Sequence, residues 1–235
     1  MSIYRIADLD IKIIPKYPQT GERLAPYAVQ CERYDIDASV THEEIDERCK
    51  QSSRSCAPYE AESVLIFTKL CNAVLDDFGG FFFHSSCVEL DGEAYVFSAE
   101  SGTGKSTHTA LWKKHFGSRA AVINDDKPII RRCNGKFCVY GTPWMGKSNV
   151  GKNTKAPVRA VYILQRAEKN SVKRVKPSQV IGQLLDAAVL DYERSRMEKL
   201  LGLFDEFFST VPLFLLSCNM EENAAETAYN AVSDM

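Results

Sequence analysis

The chain has 235 residues, with 29 Lys and Arg against 31 Asp and Glu, a formal net charge of −2 and 45% hydrophobic residues. This length predicts one large domain, or a core with a small appendage, that folds without disulfides or structural metals. The near-neutral charge argues against a protein dedicated to binding nucleic acid or a membrane surface. The N-terminus lacks the apolar segment of a signal peptide and no stretch is apolar for long enough to span a bilayer, so we expect a cytoplasmic protein.

Eight cysteines are spread along the chain without a C-x-x-C pair, and no His stands at zinc-ligand spacing from them. Such a distribution is typical of reduced thiols that serve as small hydrophobic side chains. We therefore assign the cysteines no metal.

The first 78 residues differ from the rest of the chain in their pattern of hydrophobic and charged residues. In chain order they predict strands at 4–6 and 11–14, an acidic segment at 32–48 with seven acidic against two basic residues, a loop at 50–58, and a helix that Pro58 starts and Gly79-Gly80 closes. We interpret residues 1–78 as a small N-terminal β/α extension packed on a core that residues 79–235 form.

Within the core, apolar strand signals alternate with amphipathic helix signals. The predicted elements are a strand at 81–83, a hairpin over 87–98, a helix at 106–115, strands at 120–123 and 158–164, helices at 178–189 and 194–208, a strand at 213–216 and a terminal helix at 221–232. Strands and helices that alternate around one glycine-rich loop predict an α/β fold with a mixed sheet.

The strongest motif follows the hairpin, where residues 99–107 read Ala-Glu-Ser-Gly-Thr-Gly-Lys-Ser-Thr. A strand, a loop with two glycines, Lys-Ser and then a helix form the context of a phosphate-binding loop. The glycines let backbone N–H groups converge on a phosphate, and the helix N-terminus adds partial positive charge. We predict nucleotide contacts from seven consecutive residues: Ser101, Gly102, Thr103, Gly104, Lys105, Ser106 and Thr107.

Within this loop, Lys105 is expected to bridge the β- and γ-phosphates of ATP, and the Ser106 hydroxyl to hold Mg²⁺. Ala99 stands where the usual motif has Gly, a change that is tolerated if the backbone there keeps a negative φ. His108 falls on the first turn of the helix, either at its surface or in contact with a ligand. The alternative for the whole motif is a glycine-rich turn that binds nothing.

A second candidate lies about twenty residues further on, where the apolar strand 120–123 runs into Asn124, Asp125 and Asp126. A strand beside the phosphate-loop strand that ends in carboxylates is where a magnesium-nucleotide site needs its second metal anchor. Two adjacent carboxylates allow one to bind the metal and the other to accept a proton from a hydroxyl. The alternative is a solvated turn, which Asp-Asp-Lys-Pro also suits.

Together, His84, the loop at 99–106 and the Asp125-Asp126 pair resemble the catalytic core of HPr kinase/phosphorylase and of the ATP-dependent phosphoenolpyruvate carboxykinases. The chain is also similar to a set of short P-loop proteins that share the sequence motifs GTGKSTHT, INDDKP and YGTPW. The resemblance implies a P-loop core of this kind, with phosphate and metal on Lys105 and Ser106. It also implies catalytic roles for the two Asp residues, with His84 beside them.

Spacing does not settle which Asp is the base. By analogy with the kinases, Asp125 is the base and Asp126 faces the metal. The catalytic set is then Asp125, Lys105 and His84, the metal ligands are Ser106 and Asp126, and the cofactors are ATP and Mg²⁺.

The chain lacks the larger N-terminal domain and the later Glu-x-Arg-Gly signature of HPr kinases, and it is about half as long as the carboxykinases. We therefore expect a kinase that phosphorylates a hydroxyl of a small metabolite or of a Ser in a peptide or protein. The alternative is an ATP-binding sensor without catalysis, and carboxykinase chemistry is the least expected. The resemblance also makes a homo-oligomer possible.

The acceptor side is predicted from the segment that follows the Asp pair. Trp144 either walls the acceptor pocket or packs in the core, and Lys147 and Lys152 are candidate substrate contacts. Both lysines lie near the start of a basic segment, 146–176, which contains nine Lys or Arg and one Glu. A basic surface there could hold an acidic substrate, and the alternative is a solvated face. The run 146–152 repeats the spacing of a phosphate loop, but no clear helix follows it.

Overall fold

The computed structural model describes residues 2–52, 55–188 and 193–233. The strands are β1 (Ile3–Ile6), β2 (Leu9–Lys12), β3 (Ala28–Val29), β4 (Ile36–Asp37), β5 (Gly80–Phe82), β6 (Ser85–Leu90), β7 (Glu93–Ser98), β8 (Ala120–Asn124), β9 (Ile129–Cys133), β10 (Lys136–Tyr140), β11 (Lys155–Arg166), β12 (Ser171–Arg174) and β13 (Leu213–Cys218). The helices are α1 (Pro18–Leu24), α2 (His42–Gln51), α3 (Pro58–Asp77), α4 (Lys105–Phe116), α5 (Ile181–Ala187), α6 (Arg194–Thr210) and α7 (Asn223–Ser233). The predicted α/β fold with a mixed sheet is confirmed.

The N-terminal strands form a small sheet of their own, in the order β3-β1-β2-β4. Ala7 and Asp8 join β1 to β2 with φ values of 55° and 57°, the left-handed pair that a tight hairpin turn requires. The apolar face of this sheet packs on α3, and the same hydrophobic cluster includes Ile129 and Tyr140 of the larger sheet. The N-terminal sheet and the core therefore share buried surface.

The larger sheet has the order β5-β9-β10-β11-β7-β6-β8, and β13 pairs with both β11 and β12. Strand β11 runs parallel to β7 on one side and to β13 on the other, so the carboxyl ends of these three strands meet at one edge. Ligands of open α/β sheets bind outside such an edge. The loop after β7 is the glycine-rich one, which places it at this edge.

The strand that precedes the Asp pair is not a direct neighbour of β7. Strand β6 lies between them because β6 and β7 form a hairpin and β8 pairs with the free side of β6. Both pairings are antiparallel, so β8 again runs in the direction of β7. Its carboxyl end, with Asp125 and Asp126, consequently reaches the same edge as the glycine-rich loop.

Helices cover both faces of this sheet. Val96 of β7 belongs to the cluster that includes residues of α5 and α6, whereas its neighbour Phe97 packs with α4 and α7. Strands buried on both faces are apolar without alternation, which explains the continuous Ala-Tyr-Val-Phe run of β7. In the ranges 2–52, 55–188 and 193–233, no helix combines the length and apolar character that crossing a bilayer requires.

Several predicted boundaries differ from the structure. The predicted helix at 178–189 is a 3₁₀ turn, Pro177–Gln179, followed by the separate α5, and residue 189 lies outside the described residues. Helix α2 extends to Gln51, into the predicted loop. The hairpin of β9 and β10 was not predicted as a hairpin, although Asn134-Gly135 at its turn, with φ values of 50° and 80°, is a strong local signal.

His108 is a core residue and not a surface residue. Its side chain is 2% exposed, packs against the Phe97 ring at 4.6 Å between centroids, and accepts a hydrogen bond from Trp112 Nε1 at 3.1 Å. Burial lowers the pKa of His108 to about 4. The imidazole is therefore neutral in the folded protein at physiological pH.

This burial predicts a loss of stability in acid. The unfolded chain binds a proton at His108 near pH 6.5, whereas the folded chain does so only near pH 4, so stability falls as the pH drops through that range. We expect the free energy of unfolding to fall by about 3 kcal/mol from this residue, measured by urea denaturation between about pH 7 and pH 4. His108→Gln keeps an acceptor for Trp112 and should flatten the profile. An unchanged slope in this variant would contradict the assignment.

Candidate functional site

The glycine-rich loop connects β7 to α4 and curls over the carboxyl edge of the sheet. Gly102 and Gly104 have φ values of 81° and 122°, which side chains of L-residues rarely adopt. A bond from Thr103 N–H to the Glu100 carbonyl, 3.2 Å long, closes the turn. Ala99 is not among the residues with positive φ, so its methyl group is accommodated at the first position of the motif.

Helix α4 begins at this loop with its first amide groups available. Its N-cap residue is Gly104, and no side chain caps the helix. The N–H groups of a first helical turn lack partners within the helix and carry partial positive charge. An anion held by the loop would therefore meet several converging donors.

Lys105 is the first residue of α4, and its side chain is folded back across the loop. It is 8% exposed, and its Nζ donates to the Ala99 carbonyl at 2.9 Å. Burial lowers the pKa of the ammonium, which the negative charges of Asp126 and Asp125 partly oppose. The loop thus holds a buried cation whose present partner is a neutral carbonyl.

Arg166, which the sequence analysis did not select, holds the outside of the loop. Its guanidinium donates to the carbonyl oxygens of Gly102 at 2.6 Å and Thr103 at 3.2 Å. These two bonds fix the orientation of both carbonyl groups and connect the loop to the end of β11. Arg166 is the last residue of β11, the parallel neighbour of β7, and this position is the signal that could have identified it.

The turn that carries the Asp pair is organised by Asn124, another residue missed from the sequence. Asn124 is fully buried, and its side-chain oxygen accepts from the backbone N–H groups of Asp126 and Lys127, both at 2.9 Å. Its amide nitrogen donates to the Thr142 carbonyl at 3.0 Å. An Asn that bonds the backbone two residues ahead forms an Asx-turn, which here holds the two carboxylates in different environments.

The carboxylate of Asp125 is held by two hydroxyl groups. Ser86 Oγ donates to Oδ1 and Ser148 Oγ donates to Oδ2, both at 2.6 Å. Ser86 lies on β6, and Ser148 lies on the long loop between β10 and β11. Asp125 is 8% exposed, so this pair of neutral donors stabilises a charge that is nearly buried. Neither serine was predicted, because neither is near Asp125 in sequence.

Asp126 has nitrogen-bearing neighbours instead. His84 Nε2 lies 3.2 Å and Lys127 Nζ 3.5 Å from Oδ1 of Asp126. Burial raises the pKa of Asp126, but the hydrogen bond from His84 and the charge of Lys127 outweigh it and hold that pKa below its usual value. The structure therefore brings His84 beside the Asp pair, on the side of Asp126.

The loop 141–152 closes over the Asp pair, and its glycines are required by contact. A Cβ on Gly141 would overlap the Lys152 carbonyl oxygen, and a Cβ on Gly146, whose φ is 66°, would lie 2.9 Å from the Cβ of Asp126. Gly151 forms a bridge with Asn124. The second G-x-x-x-x-G-K run thus serves as a cover for the carboxylates.

The three predicted acceptor residues on this loop have different environments. The Trp144 ring packs against Phe67 and Phe82 at 5.2 and 6.0 Å, and its Nε1 donates to Ser63 Oγ at 3.2 Å. These contacts correspond to the core-packing alternative, and the ring packs against the shared hydrophobic cluster. Lys147 and Lys152 are exposed at the surface of the loop.

Two basic residues of the segment 146–176 pair with acidic residues from elsewhere in the chain. Lys155 pairs with Asp8 at 2.5 Å, and Arg159 Nε lies 3.7 Å from Glu93. Strand β12, which pairs with β13, carries further basic residues. The basic surface that the sequence suggests for an acidic substrate stays a prediction.

Three cavities lined by described residues lie around the glycine-rich loop. One of about 460 Å³ lies between the loop and Gln183 of α5, and one of about 410 Å³ lies between the loop and Asn219, beyond the end of β13. The largest, about 710 Å³, runs between α4 and β8, with Ser106 and Asp125 in its lining. Cavities of this size accommodate small-molecule ligands.

A magnesium ion bound with a nucleotide would find suitable oxygen ligands here. Ser106 is exposed at the start of α4, and Asp126, whose Oδ1 lies near His84 and Lys127, is partly exposed after the end of β8. Magnesium takes few protein ligands and completes its shell with phosphate oxygens and water. In the ranges 2–52, 55–188 and 193–233 no group of three or more His, Cys, Asp or Glu could hold a metal without a nucleotide.

No protein-family model matches this chain, and no curated protein matches it. Among solved structures, the chain is similar to the Hpr(Ser) kinase/phosphatase from Coxiella burnetii, with a TM-score of 0.30 and 14% identity. The match covers 52% of this chain and 86% of that chain. A TM-score this low carries no functional inference, so the function proposed below rests on the geometry of the site.

Because the 141–152 loop packs closely over the Asp pair, we expect one methyl group added at Gly141 to lower the stability of the protein strongly. Gly141→Ala places a Cβ on the Lys152 carbonyl and should lower the free energy of unfolding by about 2–4 kcal/mol. Gly202→Ala is the matched control, because a Cβ there meets nothing within 4 Å, and it should stabilise α6 by about 0.5–1 kcal/mol. Chemical denaturation measures both changes. Equal stability of the two variants would show that the loop is not held as described.

Proposed function

We propose that this protein is a kinase that transfers the γ-phosphoryl group of ATP to a hydroxyl. The observation that carries the proposal is the meeting of two features at one sheet edge. One is the start of α4, which no side chain caps and which carries the buried Lys105. The other is the carboxylate pair that follows β8, a strand that runs in the direction of β7 with β6 between them. Phosphoryl transfer needs positioned cations on the donor side and a carboxylate on the acceptor side.

On the donor side, the loop residues 101–107 would bind the phosphates through backbone N–H groups and the helix start. The Lys105 ammonium would exchange the Ala99 carbonyl for phosphate oxygens, a partner of opposite charge. Arg166 would keep the loop in its open, amide-inward form through the Gly102 and Thr103 carbonyls. The donor site is thus largely formed before the nucleotide binds.

Ser106 and Asp126 are the residues that would hold Mg²⁺, and His84 would keep Asp126 oriented through Oδ1. When bound, the ion would neutralise charge on the phosphates. Asp126, already paired with His84 and Lys127, is a weak candidate for accepting a further proton.

Asp125 is the better base. Its oxygens accept hydrogen bonds from two neutral hydroxyls, and Ser148 Oγ, 2.6 Å from Oδ2, has the chemistry of an acceptor substrate at that position. A substrate hydroxyl that replaced Ser148 in this contact would donate its proton to Oδ2 while facing the cavity between α4 and β8.

If Asp125 is the base, its removal should abolish phosphoryl transfer without much change in MgATP binding. Asp125→Asn should reduce phosphoryl transfer by about 10²–10⁴-fold while leaving the affinity for MgATP within a few-fold, because the amide cannot take the proton. The measurement is incubation with γ-labelled ATP and a fractionated cell extract, alongside nucleotide titration. Asp205→Asn, on the exposed face of α6, is the control and should be indistinguishable from the unchanged protein. Full turnover by Asp125→Asn would exclude Asp125 as the base.

A nucleotide sensor without catalysis is the competing function. Both functions require Lys105, and Lys105→Met should weaken MgATP binding by at least about tenfold. Thermal stabilisation by MgATP that depends on Lys105, with no labelled product in any extract fraction, would favour the sensor. Unchanged MgATP binding by Lys105→Met would contradict both.

A further inference from the structure

The cavity between α4 and β8, called here the α4–β8 groove, differs from the other cavities around the loop in containing Asp125. One end holds the carboxylate and Ser148. The walls further along are apolar and include Ala110 of α4 and Val122 of β8. A ligand in the groove would therefore have one end at the base and an apolar middle.

Two lysines line the groove without counter-ions. Lys113 and Lys152 form no ion pair with any residue in the described parts of the chain, although the next lysine on the same helix, Lys114, pairs with Glu222 at 3.0 Å. Asp125 is the one carboxylate in the groove lining among described residues, and it forms no ion pair with either lysine. Among the described residues, the groove lining thus carries two ammonium groups against one carboxylate, an excess of one positive charge.

Lys113 lies further along α4 than Ser106, which is at the phosphate end of the groove. Ser106 and Lys113 are seven residues apart, which corresponds to about 10 Å along the helix axis. A ligand that reached both ends would carry a hydroxyl at one end and a negative group roughly that far away.

We propose that the acceptor is a small hydroxylated anion, with its hydroxyl at Asp125, an aliphatic middle in the groove and a carboxylate or phosphate within reach of Lys113 and Lys152. This inference rests on the proposed kinase function and names the substrate class for it. In the reaction the acceptor oxygen bonds to the γ-phosphorus, and the bond from that phosphorus to the β,γ-bridging oxygen breaks with its electrons going to ADP. The hydroxyl proton passes to Asp125.

The probes are ω-hydroxy acids of increasing length, from 4-hydroxybutyrate to 10-hydroxydecanoate, each compared with the diol of equal carbon number. Binding is measured by saturation-transfer NMR in the presence of MgADP, and transfer from ATP by ³¹P NMR. We expect each hydroxy acid of suitable length to bind at least about tenfold more tightly than its diol, with an optimum at intermediate length. Equal binding of acids and diols would overturn the proposal.

Matched lysine variants test the site itself. Lys113→Gln and Lys152→Gln should each weaken hydroxy-acid binding by about tenfold and leave diol and MgATP binding unchanged. Lys114→Gln removes the same charge one residue away, from a surface ion pair, and should have no effect. If Lys113→Gln behaves like Lys114→Gln, the groove is not the anion site.

Different results would contradict the proposed kinase function and the proposed class of acceptor. Lysine-dependent binding of hydroxy acids without any phosphorylated product would support the groove assignment and contradict the kinase. Transfer to serine peptides with acidic neighbours in preference to every hydroxy acid would support the kinase and overturn the small-molecule acceptor.

Discussion

A carboxylate that is nearly buried must find partners within the protein, and at Asp125 this requirement shapes the surrounding structure. An unpaired charge in that position would cost several kcal/mol, which two hydroxyl donors offset. Ser86 reaches it from a hairpin strand and Ser148 from a loop that must fold back over the edge strand. The position of the whole 141–152 loop follows, because Ser148 cannot donate to Asp125 unless the loop crosses β8 at close range.

That close crossing explains the glycines and the packing beyond them. Gly141 and Gly151 let backbone pass within contact distance of the Ile123 carbonyl, where a side chain would not fit. The intervening Trp144 then inserts between the main sheet and α3, against Phe67. One hydrophobic cluster thereby connects the N-terminal sheet to the cover of the Asp pair. A change in the packing of the extension would therefore reach the carboxylates through this loop.

The parts of this arrangement that the sequence predicted are those encoded within a few residues. The glycine-rich loop, α4, and the strand leading to the Asp pair were predicted because their signals are contiguous. Ser86, Ser148 and Arg166 were missed because their roles depend on pairings between segments distant in sequence. The insertion of β6 between β7 and β8 was missed for the same reason. His108 shows the opposite difficulty: its neighbours in sequence are polar, but the helix turns it towards Phe97 and Trp112.

Charge illustrates most directly why position along the chain is a weak guide to a binding surface. The segment with the highest net positive charge is neutralised in part by Asp8 and Glu93, which lie far from it in sequence. Lys113, outside that segment, lines the groove and forms no ion pair with the residues that the structure describes. An anion responds to the local field, and pairs of opposite charge in contact contribute little to that field beyond a few ångströms. The relevant quantity is therefore unpaired charge near the carboxylates, which depends on the fold as much as on the composition.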